Sequence, residues 1–276
     1  MGILETTSEV NAKAAATRAL PRALVFDVDG TLADTEAAHR ASFNQTFAHF
    51  GIGWHWSAAE YTRLLKVTGG KERMAAHLDT LALPAAEAAA LRRLIPHWHA
   101  DKTTRFAELV AGGALALRPG VAQLMSEAQT AGVLLGIATT TTRANVDALL
   151  AAHFGAAAAT VFDVIACGDE VPHKKPAPDV YELALRLLAV DAADAVAFED
   201  SAAGLQSAVA AGLWTVVTPT EWTAGSNFDV AGLVYADLTQ CTADGSILNG
   251  VAAQWRSATA AHQNRGSQAS RCAARP

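Results

Sequence analysis

The sequence predicts an α/β fold, a doubly wound parallel sheet with an all-helical domain inserted after its first strand. Three observations carry this. Short apolar runs of strand length recur along the chain, helical stretches fall between several of them, and one segment from Glu36 to about Gly113 is helical throughout. At 276 residues the chain can bury a full core, as one large domain or one and a half.

The first run, Ala23-Leu-Val-Phe26, ends in Asp27-Val-Asp-Gly30. An unbroken apolar tetrapeptide fits a strand covered on both faces that delivers a loop at its carboxyl end. Four more runs follow: Val133–Ala138 before four threonines, Val161–Ile165 before Gly168-Asp169, Ala195–Phe198 before Glu199-Asp200-Ser201, and Leu213–Val217 before Thr218-Pro219. Between them, 120–131 follows Pro119 and stops at Gly132, both suited to helix ends. Residues 178–189 place Val180, Leu183, Ala184, Leu187 and Leu188 on one stripe. Residues 201–211 run from a serine cap to Gly212. The segment after Glu36 carries polar and aromatic residues at 3–4 spacing and is too long for a crossover. The expected division is a core of 21–36 and 114–258, a helical cap of 37–113, and disordered tails at 1–20 and 259–276.

Composition narrows the function. The chain is 51% hydrophobic and 17% charged with a mean hydropathy of +0.18, and no stretch reaches the roughly 18 unbroken apolar residues of a membrane span. A net charge of −6 and a pI near 5.8 argue against a nucleic-acid partner. A small phosphorylated molecule remains compatible, since one metal and a few cations handle its charge locally. Cys167, Cys241 and Cys272 are odd in number and far apart, which suits a reducing compartment. Residues 1–20 have no apolar core and so do not read as a secretory signal.

Polar residues stand at four strand ends, where open parallel sheets place their functional crevice. Asp27 and Asp29 can divide labour, one as nucleophile and metal ligand and the other giving and taking protons. Thr139, with Thr140 to Thr142 behind it, offers a hydroxyl and backbone N–H groups for a phosphate. In Lys174-Lys175-Pro176, a lysine held before a rigid proline can neutralise a phosphoryl oxygen. Glu199-Asp200 are adjacent acids after a buried strand, costly unless a cation sits there, and Mg²⁺ fits such an oxygen site.

In that order these motifs resemble those of the haloacid dehalogenase (HAD) superfamily, over residues 21 to about 220. The resemblance implies a Rossmann-like core, with Asp27 forming an aspartyl-phosphate and Asp29 protonating the leaving oxygen and then activating water. It implies that Thr139 and Lys175 grip the phosphoryl group. Asp27, the Asp29 carbonyl and Asp200 would hold Mg²⁺, with Glu199 bound directly or through water. The cap sharpens the likeness. Thr35-Glu36 with His39-Arg40, Trp54-x-Trp56, Thr68-Gly-Gly-Lys-Glu-Arg73 and Phe162-Asp-Val-Ile-Ala-x-Gly-Asp169 resemble the CbbY-type xylulose-1,5-bisphosphate phosphatases, which remove a misfire product of rubisco. That likeness implies that Glu36, His39, Tyr61, Gly69, Gly70, Lys71, Arg73 and Lys174 shape the sugar and distal-phosphate site, with Thr140 and Arg143 as further candidates.

Two other readings compete: a β-phosphoglucomutase-like mutase, which shares the cap and both aspartates, and a non-catalytic sugar-phosphate sensor. Trp54 and Trp56 read as cap core. His97-x-His99 lacks a third ligand nearby and reads as structural. The expected state is a monomer, with bacterial cytoplasm or chloroplast stroma as its setting.

Overall fold

The structure is a computed structural model that describes residues 19–113 and 115–273, with side chains described as far as residue 261. Strand β1 (Ala23–Phe26) leads directly into the Asp27–Gly30 loop. Four helices follow: α1 (Glu36–His49), α2 (Ala58–Leu64), α3 (Gly70–Asp79) and α4 (Ala85–Ala111). The chain then alternates through α5 (Val121–Thr130), β2 (Leu134–Ala138), α6 (Arg143–Phe154), β3 (Val164–Ala166), α7 (Asp179–Leu188), β4 (Ala195–Glu199), α8 (Ala202–Ala210) and β5 (Trp214–Val217). A two-residue strand β6 (Leu233–Val234) and helix α9 (Ile247–Ala273) complete it.

The six strands are parallel in the order β3-β2-β1-β4-β5-β6. β1 is central, with Phe26 opposite Ile137 on one side and Phe198 on the other. Chain order reverses at β1, so the crevice beyond its carboxyl end is where such sheets bind ligands. Successive residues of β1 feed opposite layers. Leu24 and Phe26 join the cluster built on α5, α6 and α9, whereas Ala23 and Val25 join the one built on α7 and α8. Phe26 stacks on Phe198 with ring centroids 4.6 Å apart. Its complete burial contributes about 2–3 kcal/mol, which fixes the strand end that carries Asp27.

The cap helices have their own apolar cluster, in which Phe43, Phe47, Trp56, Tyr61, Met74 and Trp98 are buried. Trp56 is fully enclosed and Trp54 packs edge-on against Phe47 and Trp98. One core residue reaches this cluster. Trp222, in the loop after β5, meets the Tyr61 ring edge-to-face at 5.8 Å.

Two local features differ from expectation, and one short strand is additional. The buried stripe of α7 is Val180, Tyr181, Ala184, Leu185 and Leu188, while Leu187 is 57% exposed. Leucines at 183, 185, 187 and 188 allow either stripe, and the face carrying Tyr181 is the one the sheet selects. Strand β6 is too short to show a pattern. The polar composition of 259–276 predicts a disordered tail, yet α9 continues to Ala273. Its first turns are anchored by buried Ile247, Val251 and Trp255, and the alanine-rich continuation has no proline before Pro276 to stop propagation. Residues 1–18, most of the expected N-terminal tail, lie outside the described residues. No helix among the described residues is long and apolar enough to cross a membrane.

Candidate active site

The loop after β1 is shaped by Gly30, whose φ of +79° belongs to the left-handed region. A Cβ there would lie 2.3 Å from Asp200 Oδ2, so the glycine also makes room for the acid at the end of β4. Arg118 ties this loop down from beneath. Its guanidinium is buried and donates to the carbonyls of Gly30, Thr218, Pro219 and Ala236, and it pairs with Asp34 at 3.3 Å.

Lys175 lies at the centre of the charges. Its Nζ is 2.7 Å from Asp27 Oδ1 and 2.6 Å from Glu199 Oε1, and Tyr181 donates its hydroxyl to the same Glu199 oxygen at 2.8 Å. All four side chains are buried. Burial pushes the Asp27 carboxyl up to about 7 even though Lys175 pulls against it. Burial first, then Glu199 and Asp27, also hold Asp200 well above the usual carboxylate range. Three carboxylates here face one ammonium, and the shortage is of positive charge. Asp27, Glu199 and Asp200 each bring an oxygen within 4.8 Å of the others, a donor set that fits a hard divalent cation. Lys175 and Tyr181 already occupy one Glu199 oxygen, which leaves Asp27 and Asp200 the freer ligands. Asp200 Oδ2 also accepts from Thr223 at 3.3 Å.

Asp29 turns the other way. Its Oδ1 accepts from Thr35 Oγ1 at 2.6 Å and from His39 Nε2 at 2.9 Å. Burial alone would raise its pKa, but His39 and Thr35 outweigh that and hold it well below the usual range. Its carboxylate is therefore separate from the acidic cluster and is held ionised by its partners. Behind it, His39 stacks on Phe106 and its Nδ1 is 2.6 Å from Lys102 Nζ. Lys102, on α4, lies over the rings of Phe43 and Phe106 at 4.9 and 4.8 Å. No sequence motif marks Lys102. The available signal was its place on the stripe Ile95, Trp98, His99, Lys102, Phe106, Val110, where a lysine is out of keeping with apolar neighbours.

Burial pushes the Lys102 ammonium down from its ordinary 10.5 to about 7. The unfolded chain therefore carries a proton here that the folded chain gives up between pH 7 and 10.5. In that window the residue makes stability rise with pH, and it costs most below pH 7. Lys102→Met is expected to lose this slope. Relative to wild type, its unfolding free energy should be most favourable below pH 7 and decline toward pH 10.5. Urea unfolding at a series of pH values checks this, and parallel profiles for the two proteins would contradict it.

At the cap end, Gly69, Gly70, Arg73 and Lys174 line the same cavity as Asp27, Asp29, Glu36 and His39. Tyr61 stands behind them, donating to Glu36 Oε2 at 2.7 Å and accepting from Arg73 Nη1 at 2.9 Å. It therefore orients two lining residues and is not one itself. Thr68 donates its hydroxyl to the Lys175 carbonyl, joining cap to core. Lys71 lies outside the lining and pairs with Asp169 at 3.3 Å, while Lys174 pairs with Glu72 at 3.1 Å. Thr140 lines the cavity and Thr139 is buried beside it. Arg143 does not line it. Its side chain runs along α6 to Asp147 at 2.8 Å and is exposed. His99 and Asn145, neither expected, do line it.

A buried carboxylate cluster beside a lysine, at the switch point of a parallel sheet and under a helical cap, defines a class. The chain belongs to the haloacid dehalogenase-like hydrolases, whose family match spans residues 21–212. Within that class it is 53% identical to protein CbbY of Rhodobacter capsulatus over 218 residues, which are 79% of this chain and 94% of that one. Its fold is similar to the crystal structure of CbbY from Rhodobacter sphaeroides in complex with phosphate. The TM-score is 0.73 at 47% identity, covering 79% of this chain and 95% of that one. A mutant of that protein in complex with xylulose-1,5-bisphosphate matches with a TM-score of 0.74 at 46% identity, covering 80% and 96%.

Proposed function

We propose that this protein is a Mg²⁺-dependent phosphatase that removes one phosphate from a sugar bisphosphate, xylulose-1,5-bisphosphate foremost. The observation that carries the reading is one cavity with two unlike ends. One end holds Asp27, Lys175 and Asp200, and the other holds Gly69, Gly70, Arg73 and Lys174. The first suits a phosphoryl group being transferred and the second a phosphate being held. The relative crystallised with xylulose-1,5-bisphosphate supports the choice of substrate.

Asp27 attacks phosphorus through a carboxylate oxygen, and the phosphorus–oxygen bond to the sugar breaks. Asp29, ionised in the free protein, is favoured to take up a proton once the phosphorylated substrate brings negative charge beside it, and it then gives that proton to the leaving oxygen. Asp29 as carboxylate then takes a proton from a water molecule that attacks the aspartyl-phosphate, releasing inorganic phosphate and freeing Asp27. Lys175 holds Asp27 in place and, with Thr139, offsets phosphoryl charge. Asp27, the Asp29 carbonyl and Asp200 would hold Mg²⁺, which supplies further neutralisation of the phosphoryl oxygens.

Phosphate release is measured with xylulose-1,5-bisphosphate, ribulose-1,5-bisphosphate, fructose-1,6-bisphosphate and β-glucose-1-phosphate. The highest kcat/KM is expected with the first, with loss of activity in EDTA and recovery on adding Mg²⁺. Turnover of β-glucose-1-phosphate alone, and only with a glucose bisphosphate activator, would favour the mutase. Binding without turnover of any of them would favour the sensor.

A further inference from the structure

We propose that Thr223 is a positioning residue for Asp200, and that Trp222 beside it couples the seating of the cap to the divalent-cation site. This rests on the Mg²⁺-dependent reading above. Two neighbouring side chains of one turn face different parts of the molecule. The Trp222 indole meets the Tyr61 ring at 5.8 Å and 89° and packs on the apolar cluster of the cap. Thr223 instead lines the cavity, and its hydroxyl donates to Asp200 Oδ2 at 3.3 Å.

The turn is bonded so that a displacement at one side chain reaches the other. The N–H groups of Thr223 and Ala224 both donate to the Thr220 carbonyl, at 3.1 and 2.9 Å. The Thr220 N–H donates to Thr223 Oγ1 at 2.9 Å, and the Trp222 N–H donates to Thr220 Oγ1 at 3.2 Å. Arg118 holds the root through the carbonyls of Thr218 and Pro219. Residues 220–223 therefore shift as one piece about a fixed base. A carboxylate turns easily about its last bond, and a donor on one oxygen fixes which way the other faces. Asp200 brings one oxygen to the cluster with Asp27 and Glu199, so its rotation decides how well that cluster closes on a cation. At 3.3 Å the Thr223 bond is long for a hydroxyl on a carboxylate, and a small movement of the turn tightens or breaks it. The proton also has a competing acceptor, Thr220 Oγ1 at 3.2 Å. Tyr61 connects the turn to the ligand cavity, since its hydroxyl bonds both Glu36 and Arg73, which line it. A cap drawn away from the core takes Tyr61 from Trp222 and loosens the turn that steers Asp200. A seated cap and a bound cation therefore favour one another, and the coupling is reciprocal.

Calorimetric titration of the full chain with Mg²⁺ tests this in wild type, Thr223→Val, Thr223→Ser, Trp222→Leu and the Trp222→Leu, Thr223→Val double variant. Valine keeps the shape of threonine without the hydroxyl. Thr223→Val is expected to raise the Mg²⁺ Kd about 10-fold or more, the scale for a group that orients a metal ligand. Thr223→Ser should recover most of that loss. Trp222→Leu should raise Kd about 3- to 10-fold, the size of an aromatic pair. Because Trp222 acts through Thr223, the double variant should bind no more weakly than Thr223→Val alone. The Mg²⁺ concentration for half-maximal turnover should move by the same factors, with kcat at saturating Mg²⁺ little changed. An unchanged Kd in Thr223→Val, or additive losses in the double variant, would overturn the coupling. Wild type that binds no Mg²⁺ would instead overturn the reading on which it rests. Should Trp222→Leu not fold, ¹⁹F spectra of fluorotryptophan-labelled wild type carry the test, with the Trp222 resonance assigned through Trp222→Phe. That resonance should shift on saturation with Mg²⁺, and one indifferent to Mg²⁺ would contradict the proposal.

Discussion

Asp27→Asn is expected to lower phosphate release by roughly 10⁴-fold or more, the scale seen when a covalent nucleophile is removed. The amide is nearly the same size and fills the same space, so the fold survives. Folding gives Asp27 a pKa near 7 because burial outweighs Lys175. A neutral group there removes a desolvation cost and leaves Lys175 its second partner, Glu199, at 2.6 Å. The melting temperature should therefore stay within a few degrees of wild type. No phosphorylated protein should be detected by mass spectrometry after acid quench. Turnover within tenfold of wild type would mean that Asp27 is not the group that accepts the phosphoryl.

Lys175→Ala is expected to damage stability as well as rate. The lysine is the ammonium that Asp27 and Glu199 share, and both acids are buried. Removing one member of such a set leaves uncompensated buried charge, which costs about 3–5 kcal/mol. The direction with pH follows from Asp27. Its folded pKa lies above its ordinary 3.8, so the folded chain binds the extra proton, and Asp27 lowers stability as pH rises from about 4 to 7. Without Lys175 that rise in pKa grows and the penalty extends further upward. The deficit of the variant should be largest above pH 7 and shrink toward pH 5, and added Mg²⁺ should reduce it. Denaturant melts with and without Mg²⁺ at pH 5.5 and 8 measure this. Independently, kcat should fall about 10²–10³-fold, the scale set by removing a preorganised charge-stabilising group. A variant as stable as wild type at pH 8 without metal would contradict the placement of Lys175 between the two acids.

The core of the site was legible because all of its residues but Lys175, which sits in the loop between β3 and α7, directly follow an apolar strand run. Asp27, Thr139, Glu199 and Asp200 need only the rule that parallel sheets bind at their carboxyl ends. The cap was less legible because helix faces are chosen by what they pack against. Within Gly69-Gly-Lys-Glu-Arg73 the type of chemistry could be read but not its direction. At about 100° per residue, Gly70 and Arg73 fall on one side of α3. Lys71 and Glu72 fall on the other, where they meet Asp169 and Lys174. Applying that periodicity would have separated Arg73 from Lys71 beforehand. His99 and Lys102 needed more, since nothing in a single helix says which polar members of its stripe will be enclosed. The stretch beyond 258 is a different case. Composition describes solubility, whereas a helix already nucleated by Trp255 and its neighbours extends on backbone propensity.

The Arg118 clamp also fixes when the site can exist. Its guanidinium joins the Gly30 carbonyl 88 residues earlier to those of Thr218 and Ala236, which come 100 and 118 residues later. Contacts of such separation form only after long loops have closed, and domains emerge from the ribosome amino end first. The loop bearing Asp27 and Asp29 is among the first parts of the domain to be synthesised, and it waits for Ala236 before it is held. A nascent chain that stops short of that residue has both aspartates but no fixed loop to carry them. Competence for chemistry is thus among the last properties the chain acquires as it folds.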